Sequence, residues 1–73
     1  MSPRLPRVSG DEAVRVLQRA GFVPVSQRGS HRKLRHADGR TVIVPAHREL
    51  AIGTFASILR QAGLSAAEFA KFR

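Results

Sequence analysis

Two turn signals constrain this chain more than any other feature. Gly29-Ser30 and Asp38-Gly39 cut the stretch from Phe22 to Val44 into three short β-prone segments. Asp-Gly between such segments is a strong hairpin signal, because glycine accepts the positive φ that a tight turn demands. Phe22-Val23-Pro24-Val25 reads as a first strand. Pro24 puts it at a sheet edge or a strand start, since proline has no amide to give a central ladder. Residues 31–36 read as a second strand, and Thr41-Val42-Ile43-Val44, closed by Pro45, as a third. Three consecutive strands joined by short turns make an antiparallel meander.

Helices flank the meander. Ser9-Gly10-Asp11-Glu12 has the form of a capping box, and its two acids suit the positive end of a helix dipole. Ala13, Val14, Val16, Leu17 and Ala20 follow at helical spacing, and Gly21 supplies a stop. The first helix is expected over about residues 10–20. Gly53-Thr54 opens a second, with Phe55, Ile58, Leu59 and Ala62 on one face and Gly63 as its stop. Ser65-Ala66-Ala67-Glu68 is another capping box and starts a short terminal helix bearing Phe69 and Phe72. Residues 45–53 are a loop and 1–8 an extended lead-in. The fold class is α+β: a three-stranded antiparallel sheet, two helices on one face, and a short C-terminal helix.

Size supports a single domain over residues 1–73, since chains this short rarely subdivide. Without cysteine there is no disulfide framework, thiolate metal site or thiol nucleophile. No apolar stretch approaches the roughly 18 residues that span a bilayer. The basic N-terminus lacks the apolar core of a secretory signal. A cytoplasmic location, away from membranes, is expected.

Charge narrows the partner. Lys and Arg total 13 against 5 Asp and Glu, a net charge of +8. Eleven of the cations are Arg, whose planar guanidinium binds phosphate in a bidentate manner. So strong a field on so small a body attracts polyanions. Nucleic acid leads the partner classes, followed by an acidic protein.

The cations concentrate around the hairpins: Arg28, Arg32, Lys33, Arg35 and Arg40, with Asp38 the one acid among them. Strand alternation puts His31, Lys33 and Arg35 on one face and Arg32, Leu34 and His36 on the other. Leu34 is the apolar member, so its face meets the helices. The first set is left as a cationic strip on the open face; a merely solvated polar face is the alternative. All four Phe fit core positions, which leaves no aromatic plates for base stacking. RNA contacts would therefore be mainly to phosphate and shape.

Histidines 31, 36 and 47 are the candidate proton-transfer groups. RNA carries its own nucleophile, the 2′-hydroxyl. A minimal ribonuclease needs a proton acceptor or donor near that oxygen and cations to hold the charge developing on phosphorus. His31, beside Arg32, Lys33 and Arg35, meets that minimum. The histidine spacings match no usual zinc pattern, so neither metal nor cofactor is expected.

These residues resemble a family. Leu17 to Gly21-Phe22, Gly29-Ser30-His31, Asp38-Gly39, Pro45-Ala46-His47, and Gly53-Thr54 through Ile58-Leu59-Arg60-Gln61-Ala62-Gly63-Leu64-Ser65 are similar, in order and spacing, to the HicA (YcfA-like) toxins. The likeness runs over essentially the whole chain. It implies a double-stranded-RNA-binding-domain-like α-β-β-β-α fold. It also implies the toxin of a type II toxin–antitoxin system, acting as a ribosome-independent mRNA interferase and neutralised by a HicB-like antitoxin. The family's catalytic histidine corresponds to His31. Gly29 would shape the turn that presents it, and Ser30 would help that turn or bind a phosphate. His47 matches a Pro-x-His step with no assigned role. Arg32 and Lys33 make the strand more basic than is usual in the family.

The expected activity is thus metal-independent RNA endonucleolysis, with His31 as acid or base and Arg28, Ser30, Arg32, Lys33, Arg35 and Arg40 binding RNA. A non-catalytic RNA-binding module of the same fold is the alternative. A protein whose basic face only docks an acidic partner is a third reading.

Overall fold

The computed structural model describes residues 7–73, so most of the lead-in expected over 1–8 lies outside the described residues. Its last residue, Val8, belongs to the core, and the Val8 carbonyl accepts a hydrogen bond from Leu50 N at 2.8 Å. The elements follow in the order α1 (Gly10–Arg19), β1 (Phe22–Arg28), β2 (His31–His36), β3 (Thr41–Pro45), α2 (Ile52–Ala62) and α3 (Ala66–Lys71). The strands form one antiparallel sheet in the order β1-β2-β3. The α+β arrangement expected from the sequence is the one observed.

Local chemistry accounts for the boundaries. Ser9 caps α1, its Oγ accepting from Glu12 N at 3.0 Å. The reciprocal half of that expected box does not form, because the Glu12 carboxylate is taken by Arg73. Ser65 and Glu68 do form a complete box at α3. The Ser65 amide and hydroxyl hold the Glu68 carboxyl below its ordinary range, the amide more strongly. Gly63 ends α2 with φ +67°, a left-handed conformation open to glycine. The helix begins at Ile52, one residue ahead of expectation, without a side-chain cap.

Leu34, Val42 and Val44 point from the sheet into the core. There they join Ala13, Val16 and Leu17 of α1 with Phe55, Ile58, Leu59 and Ala62 of α2. Phe69 brings α3 in, its ring 4.8 Å from that of Phe55 in an edge-on arrangement. Phe22, Phe55 and Phe69 are buried and Phe72 is half-buried, all packed on this core.

Gly10 permits a close approach. Its amide donates to the His47 carbonyl at 2.8 Å, and a Cβ there would collide with the Pro45 carbonyl oxygen. The start of α1 thereby rests on the loop after β3. The outer edge of β3 is also occupied: Ile43 N donates to Gln61 Oε1 at 3.0 Å, and Gln61 Nε2 donates to Ser57 Oγ at 3.1 Å.

β1 carries one irregularity. Phe22, Val23 and Pro24 pair with His36, Arg35 and Leu34, but the next pairs are Ser26–Lys33, Gln27–Arg32 and Arg28–His31. Val25 is the extra residue of a β-bulge. The strand runs on to Arg28, beyond the segment 22–25 read from sequence.

Candidate functional site

Side chains of directly paired residues lie on the same face of an antiparallel sheet. On the face away from the helices the pairing gives three transverse rows: Val23–Arg35–Thr41, Ser26–Lys33–Ile43 and Arg28–His31–Pro45. The last two rows surround an open depression of about 450 Å³, lined by Ser26, Arg28, His31, Lys33 and Ile43.

The bulge is responsible for this lining. Uninterrupted pairing beyond Pro24–Leu34 would set Val25 against Lys33 and Gln27 against His31. Because side chains alternate, a one-residue slip exchanges the faces of everything that follows. The extra residue therefore brings Ser26 opposite Lys33 and Arg28 opposite His31, both on the open face. Gly29 has φ +54°, and Gly29-Ser30 closes the hairpin directly behind His31. The turn is tied down by the bond from Ala46 N to the Ser30 carbonyl.

The other residues singled out in the sequence divide between the faces. Arg35 lies on the open face, in the row beyond Lys33, with its Nε 3.5 Å from Thr41 Oγ1. Ser30 is exposed in the turn. Arg32 lies on the helix side, its side chain only 20% exposed, and pairs with Asp11 at 2.7 Å. Its Nε and Nη2 are buried without a hydrogen-bond partner. Arg40 also turns to the helix side. Its guanidinium lies 5.3 Å from the Phe22 ring centroid, its Nε donates to Asp38 Oδ2 at 2.8 Å, and its Nη1 donates to the Ala62 carbonyl. This cation at the C-terminal end of α2 complements the helix dipole. The Arg40 side chain, and after it the Arg40 amide, hold the Asp38 carboxyl down at about 2.

His36 packs edge-on against Phe22 at 5.1 Å, and its Nδ1 accepts from Asp38 N at 3.2 Å. It is a structural histidine. His47 is exposed in the loop after β3, where its carbonyl is held by Gly10 N, and it does not line the depression. Of the three histidines, His31 alone joins Arg28 and Lys33.

The depression is electrostatically one-sided. The five acids are all engaged elsewhere: Asp11 with Arg32, Glu12 with Arg73, Asp38 with Arg40, Glu49 with Arg7, and Glu68 in its capping box. None lines the depression. Among the described residues, no group of three His, Asp or Glu is placed to hold a metal ion. Nor is any helix among them long and apolar enough to cross a membrane.

Ile43 lies outward, between the buried Val42 and Val44. Strand alternation could have placed it there, but nothing in the sequence marked Ile43 as part of a site, and Ser26 was hidden by the bulge.

Fold and patch together define a class: a small α+β protein that keeps one sheet face clear and cationic around a histidine. The family can be named from comparison. A family model described as the HicA toxin of bacterial toxin-antitoxin matches residues 10–64, and the chain belongs to that family. The protein is accordingly the toxin of a toxin–antitoxin system, and its partner is an antitoxin. A comparison with curated proteins finds no match.

Proposed function

We propose that the protein is an mRNA interferase that cleaves RNA at the open-face depression, independently of metal and of the ribosome. The observation that carries the reading is the grouping of His31 with Arg28 and Lys33 in one depression that no acid lines. The imidazole takes the proton of a 2′-hydroxyl as that oxygen bonds to phosphorus and the bond to the 5′-oxygen breaks. The departing 5′-oxygen takes a proton from water and the imidazolium returns its own to the solvent, so the products are a 2′,3′-cyclic phosphate and a 5′-hydroxyl. Arg28 and Lys33 hold the non-bridging oxygens, where negative charge increases in the transition state. Arg35 extends the phosphate-binding strip, and Gly29-Ser30 fixes the turn beside His31.

A HicB-like antitoxin would neutralise the toxin by covering this face with acidic groups, in the cytoplasm where mRNA is met. Arg32 and Arg40 support the sheet, their guanidinium groups being directed to Asp11, Asp38 and the end of α2.

The test is cleavage of a long single-stranded RNA in EDTA. The parent should cut it, and His31→Ala should lose about 10²–10⁴-fold in rate, the usual worth of a positioned acid or base. An otherwise identical strand with 2′-deoxy nucleotides should survive. Retained cleavage by His31→Ala would refute the assignment. Binding without scission by the parent would leave an RNA-binding module.

A further inference from the structure

The phosphate-binding cations account for only part of the depression. Its remaining walls are Ser26 on β1 and Ile43 on β3, facing each other across Lys33 in one transverse row. Ile43 is 38% exposed, while the neighbouring Val42 and Val44 are fully buried. Its backbone is fixed from outside the sheet by Gln61. Ser26 holds its place through the bulge, which puts a hydroxyl where unbroken pairing would have put the side chain of Val25. Bulges are used next to sites in this way, to re-aim a side chain. The volume, about 450 Å³, lies within the range of about 300–1,000 Å³ typical of small-ligand sites.

A nucleobase has an apolar face and a polar edge. Proteins usually meet the face with an aromatic ring, but here three of the four phenylalanines are buried and the fourth packs against the core. An aliphatic wall beside a hydroxyl offers the same two complements. We infer that Ser26 and Ile43 form a nucleobase seat: an unpaired base packs its face on Ile43 and presents its edge to the Ser26 hydroxyl, while Arg28 and Lys33 hold the adjoining phosphates. The ligand class is therefore a single strand, since a base within a duplex has neither its face nor its pairing edge free. The seat sets nucleotide preference. It rests on the reading of the open face as the RNA site.

The seat is tested without cleavage, using 2′-O-methyl RNA hexamers, which have no attacking hydroxyl. NMR titration compares a hexamer bearing bases with an abasic backbone of equal length. Both should shift Arg28 and Lys33; the base-bearing strand alone should shift the Ile43 methyl and Ser26 amide signals. Across four homohexamers, Ser26→Ala should shrink the spread in Kd by about three- to tenfold, the weight of one hydrogen bond. Ile43→Thr, which keeps a β-branched residue in the strand, should weaken every base-bearing hexamer several-fold and leave the abasic strand alone. Thermal melts establish that both variants are folded. Equal Ile43 shifts from both strands, or an unchanged Kd spread in folded Ser26→Ala, would overturn the seat while leaving the phosphate strip standing. If no hexamer perturbs the open face, the RNA reading falls and the seat with it. Loss of cleavage in His31→Ala is a separate readout, so failure of the seat and failure of the nuclease are told apart.

Discussion

Gly10→Ala is a substitution whose sign the structure decides against local expectation. In an open helix, alanine in place of glycine is worth up to about 1 kcal/mol of stability. Gly10 begins α1, but its α-carbon faces the loop after β3. An added Cβ would lie well inside 3.0 Å of the Pro45 carbonyl oxygen, a separation that real Cβ atoms do not adopt. It would also sit 3.2 Å from both Ala46 Cα and Arg32 Nη2. The oxygen is backbone at the end of β3 and has no rotamer to change. Relief requires α1 to back away from the loop, which stretches the 2.8 Å bond from Gly10 N to the His47 carbonyl. Overpacking of this kind costs about 1–3 kcal/mol, and a weakened hydrogen bond about 0.5–1.5 kcal/mol. Set against the propensity gain, the net loss is about 1–3 kcal/mol. A chain of 73 residues has roughly 4–11 kcal/mol in total. At about 4–8 °C per kcal/mol for a protein of this size, Tm should fall by roughly 5–20 °C. Thermal and urea melts followed by circular dichroism measure it. A Gly10→Ala protein as stable as the parent, or more so, would refute the close-packing argument.

Three further outcomes follow from the site and its supports. Asp38→Asn should lower the urea midpoint at neutral pH. The folded-state value of about 2 lies below the ordinary 3.8, so the Asp38 contribution is present above about pH 4 and fades as pH falls through about 2; the gap between parent and variant should close over that window. Arg32→Met should leave stability unchanged or raise it. It removes two buried donors that lack partners and releases an aspartate that is 73% exposed; a loss above about 1 kcal/mol in urea melts would contradict this. Salt titration separates the two faces: Arg28→Ala and Lys33→Ala should each reduce the slope of log K against log salt for single-stranded RNA by about 0.7, and Arg32→Met should not. Equal slopes for all three variants would remove the distinction between open-face and helix-side cations.

The sequence revealed what is local. The stop at Gly63, the turns at Gly29 and Gly39, and the box at Ser65 each depend on residues within a few positions, and each stands where expected. Alternation in 31–36 separated His31, Lys33 and Arg35 from Arg32, Leu34 and His36, because Leu34 alone shows which face is inside. What escaped depends on distant partners. Nothing in Val23-Pro24-Val25-Ser26-Gln27-Arg28 announces that Val25 is extra, since both registers are β-prone. The facing of Ser26 and Arg28 was therefore not legible. Arg40 looked like one more cation in a basic hairpin until α2 placed the Ala62 carbonyl beside it. Glu12 looked like half of a capping box until Arg73 claimed it across the length of the chain.

The Gln61 contact has a consequence for how the protein behaves among copies of itself. A three-stranded sheet has two outer strands, and each is an invitation to stack another chain. On β3 a side-chain amide stands in for that missing chain at Ile43, and on β1 a proline and a bulge break the ladder before a neighbour could zip along it. The sheet is thereby finite. It can leave Val23, Val25 and Ile43 bare to solvent, around a patch that a partner must reach, without seeding fibres.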